Sequence, residues 1–140
     1  MAVQFFFNES LIKLLERRRL KAFINQLFID EGVKLLSLVY VFCSDKYLLA
    51  INTEFLQHDD YTDIITFSLS SVREPVVGEI YISSERVTEN AALMNVSIND
   101  ELHRVIFHGA LHLCGYMDKK PSDKRMMTMN ENKYLKLYFN

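Results

Sequence analysis

The stretch His108-Gly-Ala-Leu-His112-Leu-Cys-Gly115-Tyr-Met-Asp118 carries the most specific pattern in this 140-residue sequence. Its two histidines are four residues apart, so in a helix they share one face. The glycine that follows predicts a left-handed helix end that reverses the chain. The reversal is expected to bring Asp118 towards the two imidazoles. Two imidazole nitrogens and one carboxylate oxygen form a ligand set typical of catalytic zinc, with a fourth position left for water.

The predicted helix around the histidines is apolar on almost every face, which is typical of a buried helix. Its apolar members are Leu102, Val105, Ile106, Phe107, Ala110, Leu111, Leu113 and Cys114. Unsatisfied polar groups in such a place cost roughly 1–3 kcal/mol each, which favours a shared metal over two isolated imidazoles. Gly109 costs about 1 kcal/mol relative to alanine, and we expect it to keep the open face of the metal clear. The alternative is that the histidines are ordinary polar residues, either at the surface or in the core with hydrogen-bond partners, and bind no metal.

The spacing of the three predicted ligands resembles the long signature of the zincin metalloproteases. Those proteases have a glutamate directly after the first histidine, where it acts as the general base. This chain has Gly109 at that position. Peptide hydrolysis is therefore the less favoured interpretation.

Length and composition predict one domain over residues 1–140. No apolar run approaches the ~20 residues of a membrane span, and the N-terminus lacks the pattern of a signal peptide. Cys43 and Cys114 do not form a short-spaced pair, so a disulfide framework is not expected. These features favour the cytoplasm and exclude a membrane partner. The net charge of −2 and the pI near 6.1 argue against a strongly basic nucleic-acid binder.

Hydrophobic periodicity predicts an α+β domain, with one mixed sheet of about four strands packed with helices and the metal site at the end of a buried central helix. Strands are expected at 3–7, 35–43, 63–69 and 76–83. Helices are expected at 11–30, 45–56 and 84–94, and Gly32 is expected to close the first of them. Ser97 is predicted to cap the metal-bearing helix, and Asp45 the second helix. Pro121 begins a last amphipathic helix, whose predicted apolar members are Met126, Met127, Tyr134, Leu135 and Leu137.

Three segments together resemble the bacterial YbeY endoribonucleases, the rRNA maturation factors. The first runs from Ile51 to Phe67 and contains Asn52, Thr62-Asp63 and Thr66-Phe67. The second is Gly78-Glu79-Ile80. The third is the metal motif, which is similar to the family's histidine-glycine-x-leucine-histidine-leucine-x-glycine-tyrosine-aspartate-histidine.

The resemblance implies a zinc-dependent, single-strand-specific endoribonuclease that acts in 16S rRNA 3′-end maturation and ribosome quality control. Its implied partners are ribosomal small-subunit proteins or an assembly GTPase. His108 and His112 match the first two zinc ligands. The third family ligand is a histidine, and here Asp118 stands at that position, preceded by Met117 where the family usually has aspartate. Leu56 replaces a common family arginine beside the cleft.

The predicted chemistry is metal-assisted cleavage of RNA phosphodiesters, in which a cation neutralises the charge that develops on the phosphate. Arg104 lies one helical turn before His108, so it is a candidate catalytic residue beside that histidine; Lys119 and Lys120 are further candidates. His103 and His58 are interpreted as structural. Two alternatives stay open: a non-catalytic, zinc-containing ribosome assembly factor, and a metallohydrolase of another substrate.

Overall fold

The structure is a computed structural model that describes residues 2–57 and 62–140. Within these residues it contains four strands and five helices, in an α+β arrangement that confirms the predicted fold class. The strands are β1 (Val3–Asn8), β2 (Leu35–Cys43), β3 (Ile64–Ser68) and β4 (Val76–Ser83). The helices are α1 (Arg17–Asp30), α2 (Asp45–Leu56), α3 (Ser84–Met94), α4 (Ile98–Leu113) and α5 (Pro121–Phe139).

The sheet is mixed, with the strand order β1-β2-β4-β3. β1, β2 and β4 are parallel, whereas β3 runs antiparallel to β4 and forms one edge of the sheet. The register aligns Ile64 of β3 with Ile82 of β4, and Thr66 with Ile80. The edge strand β3 contacts α4, so the edge of the sheet lies beside the helix that carries the histidine motif.

The two faces of the sheet are covered unequally. Leu38, Tyr40 and Phe42 of β2 alternate inward and pack in the main core with side chains of α1, α3, α4 and α5. The opposite face carries a small cluster, in which Leu48 and Ile51 of α2 pack with Ile65 and Cys43. This division follows from the period of two in a strand, which sends neighbouring side chains to opposite faces.

Serine side chains cap three of the helices and fix where they begin. Ser44, Ser83 and Ser97 each accept a hydrogen bond from the backbone N–H three residues later, at 3.0–3.1 Å. The predicted cap at Ser97 is confirmed. The cap predicted at Asp45 is wrong by one residue, because Ser44 holds the extended cap conformation and Asp45 is the first helical residue.

The first helix begins at Arg17 rather than near residue 11, so that part of the sequence prediction is wrong. Glu9 and Glu16 have positive φ angles of 54° and 49°, which interrupt a right-handed helix. Ser10 Oγ hydrogen-bonds Ser84 Oγ at 2.6 Å and ties the intervening segment to α3. Leu14 still packs in the core. The predicted end at Gly32 is confirmed, with φ 70°.

Helix α5 buries a different stripe from the one predicted. Met127 and Tyr134 are buried as expected, but Met126 and Leu137 are about half exposed. The observed buried stripe is Met127, Glu131, Tyr134 and Tyr138, at intervals of four, three and four residues. In the part of the chain that the structure describes, no helix combines the length and apolarity needed to cross a membrane.

Candidate metal centre

Helix α4 and the turn after it place the three predicted ligands at one end of the fold. The helix closes with the two backbone hydrogen bonds of a Schellman motif, from Gly115 N to His112 O at 3.0 Å and from Tyr116 N to Leu111 O at 3.1 Å. Gly115 has φ 109°, as its predicted role in reversing the chain requires. The reversal brings Asp118 Oδ2 to 3.1 Å from His108 Nε2.

The His108 imidazole is held between two carboxylates. Its Nδ1 lies 2.7 Å from Glu131 Oε2, and its Nε2 faces Asp118. Burial alone would lower the pKa of His108, but the hydrogen bond and charge of Glu131, with the charges of Asp118 and Asp63, outweigh it and raise the pKa. Both carboxylates are acceptors, but Glu131 is the closer one, at 2.7 Å against 3.1 Å for Asp118, and it is only 9% exposed against 40%. The single proton of the neutral ring is therefore favoured on Nδ1, which leaves the lone pair on Nε2.

The His112 imidazole is oriented by the backbone of the reversing turn. Its Nδ1 lies 3.1 Å from the carbonyl oxygen of Tyr116, which can only accept a hydrogen bond. The neutral ring therefore also has its lone pair on Nε2. The Tyr116 side chain is fixed in turn, because its hydroxyl donates to Glu31 Oε1 at 2.7 Å.

Both histidines and Asp118 line one cleft of about 450 Å³ beside β3. Its walls include Asn52 and Leu56 from α2, and it is completed by Thr62, Ile64, Ile65, Thr66 and Lys119. The cleft therefore combines a few polar groups with the apolar side chains of the sheet edge. A smaller cavity of about 270 Å³ adjoins it, sharing His108 and Asp118 and adding Asp63, Glu101, Arg104 and Glu131.

The donor chemistry fits zinc, although the geometry is not that of a closed site. In residues 2–57 and 62–140, no three His, Cys, Asp or Glu side chains stand in an arrangement ready to hold a metal ion. Two ligands at about 2.0–2.2 Å from a tetrahedral zinc lie about 3.3–3.6 Å apart. The 3.1 Å between His108 Nε2 and Asp118 Oδ2 is close to that separation. With an acceptor at each Nδ1, the neutral imidazoles of His108 and His112 would bind through Nε2, and with the Asp118 carboxylate they supply donor types that zinc binds.

Gly109 serves helix packing rather than an open metal face. A Cβ atom added at Gly109 would lie 2.8 Å from Ile80 Cδ1 and 3.0 Å from Ile64 Cδ1. The glycine therefore lets α4 approach β4 and β3 closely. The expectation that it clears space for a metal is wrong, because its missing side chain points at the sheet.

The other predicted site residues are distributed unevenly around the cleft. Lys119 lines it, whereas Lys120 is the exposed N-cap residue of α5. Arg104 lies in the adjoining cavity, and its guanidinium binds Glu131 Oε1 at 2.9 Å and Asn132 Oδ1 at 2.6 Å. His103 is buried against Tyr138, with Nδ1 2.7 Å from Asn99 O, in agreement with a structural role. His58, also interpreted as structural, lies outside the described residues.

Sequence reasoning gave no role to three carboxylates that line a cavity with His108, although one of them lies in a segment that resembles the family: Glu131, Glu101 and Asp63. Glu131 stands in the buried stripe of α5, and a carboxylate in an otherwise apolar stripe is a signal of a buried partner. Glu101 is buried on α4, and burial, with the charge of Asp63 and against that of Arg104, raises its pKa to about 7. Burial also raises the pKa of Asp63, against the opposing charge of His108.

The architecture is shared with a solved structure, the solution structure of TM1509 from Thermotoga maritima. The TM-score is 0.68 at 24% sequence identity, and the match covers 98% of this chain and 89% of that chain. A likeness at this level of identity establishes the class of fold. It places the chain among α+β proteins of the same architecture.

Sequence comparison identifies the family. The family model described as Endoribonuclease YbeY matches residues 5–138. A protein named Endoribonuclease YbeY from Cytophaga hutchinsonii is 46% identical over 134 residues, covering 95% of this chain and 94% of the relative. One of the same name from Parabacteroides distasonis is 37% identical over 135 residues, covering 96% and 94%. The chain belongs to the YbeY endoribonuclease family, and the resemblance read from its motifs is confirmed.

Proposed function

We propose that this protein is a zinc-dependent endoribonuclease that cuts single-stranded RNA in 16S rRNA 3′-end maturation and ribosome quality control. Membership of a family whose relatives are named endoribonucleases supports the reaction class. The observation that carries the metal proposal is the pair of imidazoles whose Nδ1 atoms each face an acceptor, in one cleft with Asp118, whose Oδ2 lies 3.1 Å from His108 Nε2. His108, His112 and Asp118 would hold one zinc per chain.

Zinc held by these three residues would polarise a phosphate oxygen and lower the pKa of its bound water towards 7. The residues of the chain position the substrate and control its protons. Lys119 stands at the cleft and can hold a phosphate oxygen through its ammonium group. The apolar wall of Leu56, Ile64 and Ile65 gives a base or ribose a surface that excludes water. No cation other than Lys119 lines this cleft among the described residues, which suits weak, local contact with RNA.

Asp118 distinguishes this site from one with three histidines. A carboxylate ligand adds negative charge, so the same metal carries less net positive charge than it would with three neutral imidazoles. We therefore expect the water at this site to have a higher pKa than at a site with three histidines, and RNA cleavage at neutral pH to be slower. Leu56 stands where the family commonly has an arginine beside the cleft. This difference should also lower the rate of cleavage, because one fewer cation faces the phosphate.

The decisive experiment is cleavage of an end-labelled single-stranded RNA by zinc-replete protein. We expect internal cuts in single-stranded RNA, none in a matched duplex, and loss of cutting in His108→Ala. Glu89→Ala, at an exposed position of α3 outside the cleft, serves as the surface control. Cleavage that persists in His108→Ala would contradict the proposal. A zinc-binding protein that cuts no RNA but associates with small ribosomal subunits would support the non-catalytic assembly factor instead.

A further inference from the structure

The two carboxylate oxygens of Glu131 contact two different residues of α4. Its Oε1 accepts from Arg104 Nη1 at 2.9 Å, which ties α4 to α5. Its Oε2 lies 2.7 Å from His108 Nδ1. The side chain is only 9% exposed, so both interactions occur largely away from water. A buried ion pair between the two helices would need only the arginine. The second oxygen is therefore not needed for that ion pair, and it accepts a hydrogen bond from His108 instead.

We propose that Glu131 is a positioning residue that fixes the tautomer and the ring orientation of His108, with Arg104 holding the carboxylate in place. The inference rests on the proposed function, in which His108 Nε2 is a metal ligand. In the neutral ring, the shorter contact with Glu131, 2.7 Å against 3.1 Å with Asp118, favours the proton on Nδ1 and leaves Nε2 unprotonated and able to bind metal. Acceptors of this kind at the distal nitrogen of metal-binding histidines raise ligand basicity and orient the ring.

Arg104 thereby receives a role different from direct contact with phosphate. One of its terminal nitrogens binds Glu131 and the other binds Asn132, so both ends of the guanidinium fork are engaged on α5. Because Arg104 Nη1 holds Oε1 of Glu131, the other oxygen, Oε2, is directed at His108 Nδ1. Arg104 thus positions Glu131, and Glu131 in turn positions His108.

The two imidazoles are supported unequally, which provides an internal control. His112 donates to a backbone carbonyl of the Schellman turn, and no side-chain substitution removes that acceptor. His108 relies on a side chain that can be changed. A glutamine at position 131 would preserve the shape but offers one acceptor and one donor group. If the oxygen stays with Arg104, the amide NH₂ faces His108 Nδ1 and favours the tautomer with the proton on Nε2.

The first test is ¹⁵N NMR of metal-free protein at a pH where His108 is neutral, comparing wild type with Glu131→Gln. We expect the His108 signals to move from the Nδ1–H to the Nε2–H tautomer, while those of His112 remain unchanged. Glu89→Gln, a change at a solvent-exposed glutamate of α3, is the matched control. Unchanged His108 signals in Glu131→Gln would overturn the proposal.

The second test is zinc affinity, measured by competition with a chromophoric chelator. Loss of such a distal acceptor typically weakens metal binding about 10- to 100-fold, and we expect this for Glu131→Gln. Glu131→Asp should recover part of the affinity, and Arg104→Lys should fall between the wild type and Glu131→Gln. If the zinc affinity of each variant falls only as far as the melting temperature of its metal-free form does, the role of Glu131 is purely structural. If the wild type binds no zinc, the proposed function fails, whereas the tautomer measurement still decides the role of Glu131.

Discussion

Gly109 of α4 faces Ile80 of β4 so closely that an added Cβ would lie 2.8 Å from Ile80 Cδ1. Overpacking of a core typically costs about 1–3 kcal/mol, and better helix propensity returns about 1 kcal/mol. Gly109→Ala should therefore lower the free energy of unfolding by up to about 2 kcal/mol, measured by urea denaturation. Ile80→Val removes the crowding methyl group, so the double variant should lose less than the sum of the single changes. Strict additivity would show that the two residues are not in conflict.

Metal removal should destabilise the protein. A ligand that binds only the folded state adds RT ln(1 + [L]/Kd), which is about 2.7 kcal/mol at a hundredfold excess over Kd. We expect purified protein to carry close to one zinc per chain, and chelation to lower its melting temperature. Elemental analysis and thermal scans before and after chelation check both. Protein that holds no metal and shows no thermal response to added zinc would refute the metal centre.

Asp118 can be tested as the third ligand by two substitutions. Asp118→His should retain zinc and cut RNA at an equal or higher rate, because a neutral ligand leaves more positive charge on the metal. Asp118→Ala should reduce zinc content and activity together. Zinc stoichiometry and single-stranded RNA cleavage are measured on the same preparations. Full zinc content in both variants would mean that the third contact comes from another residue.

Glu101 should make the metal-free protein less stable as the pH rises. Its pKa is raised from 4.5 to about 7, first by burial and then by the charge of Asp63. Between those values the folded state binds more protons than the unfolded state, so stability falls with rising pH, and the loss is complete above about pH 7. Glu101 Oε1 is also buried without a hydrogen-bond partner among the described residues.

Glu101→Gln should remove this dependence, because the amide does not ionise. At pH 8 we expect the variant to be more stable than wild type by on the order of 1–2 kcal/mol, with little difference at pH 4. Urea unfolding of chelated protein across this range is the measurement. Glu74→Gln in an exposed loop is the control. A difference that is the same at every pH would assign the effect to packing instead of charge.

RNA binding should be weak and only shallowly dependent on salt. The net charge is −2, and the cleft offers Lys119 beside the proposed metal. Contact with two or three phosphates of a single strand gives a slope of about −1.4 to −2 in log K against log salt. Fluorescence anisotropy with a short RNA, with and without small ribosomal subunits, measures it. A slope several times steeper would indicate a basic groove formed elsewhere on the surface.

Sequence alone predicted the ligand-bearing helix and the turn that follows it, because both depend on local chemistry. The i, i+4 histidines, the serine cap and Gly115 act within a few residues of chain, and the structure has the cap and the turn as expected. The zinc itself and its ligand set remain predictions.

The contacts that surround the histidines depend on tertiary packing and were not predictable in the same way. Glu131 reaches His108 from a helix 23 residues further on. Gly109 was assigned to the metal because the sequence does not reveal which side of α4 meets the sheet. The segment before Arg17 was included in the predicted helix, whose apolar spacing lies further along at residues 20–28. Positive φ angles at Glu9 and Glu16 and a hydrogen bond from Ser10 to α3 hold that segment in another conformation.

Glu31, at the end of α1, has a consequence for the order in which the molecule is assembled. Its carboxylate accepts hydrogen bonds from Tyr116 and Tyr134, which are 85 and 103 positions away along the chain. Contacts of such separation form late in folding, because a long loop must close before they are gained. The local turn sets the Tyr116 carbonyl that orients His112, whereas the Tyr116 hydroxyl meets Glu31, and Glu131 meets His108, only when α1, α4 and α5 have docked. Capture of a metal by this protein would then require the completed fold, because a nascent chain with only α4 formed would lack the carboxylate that orients His108.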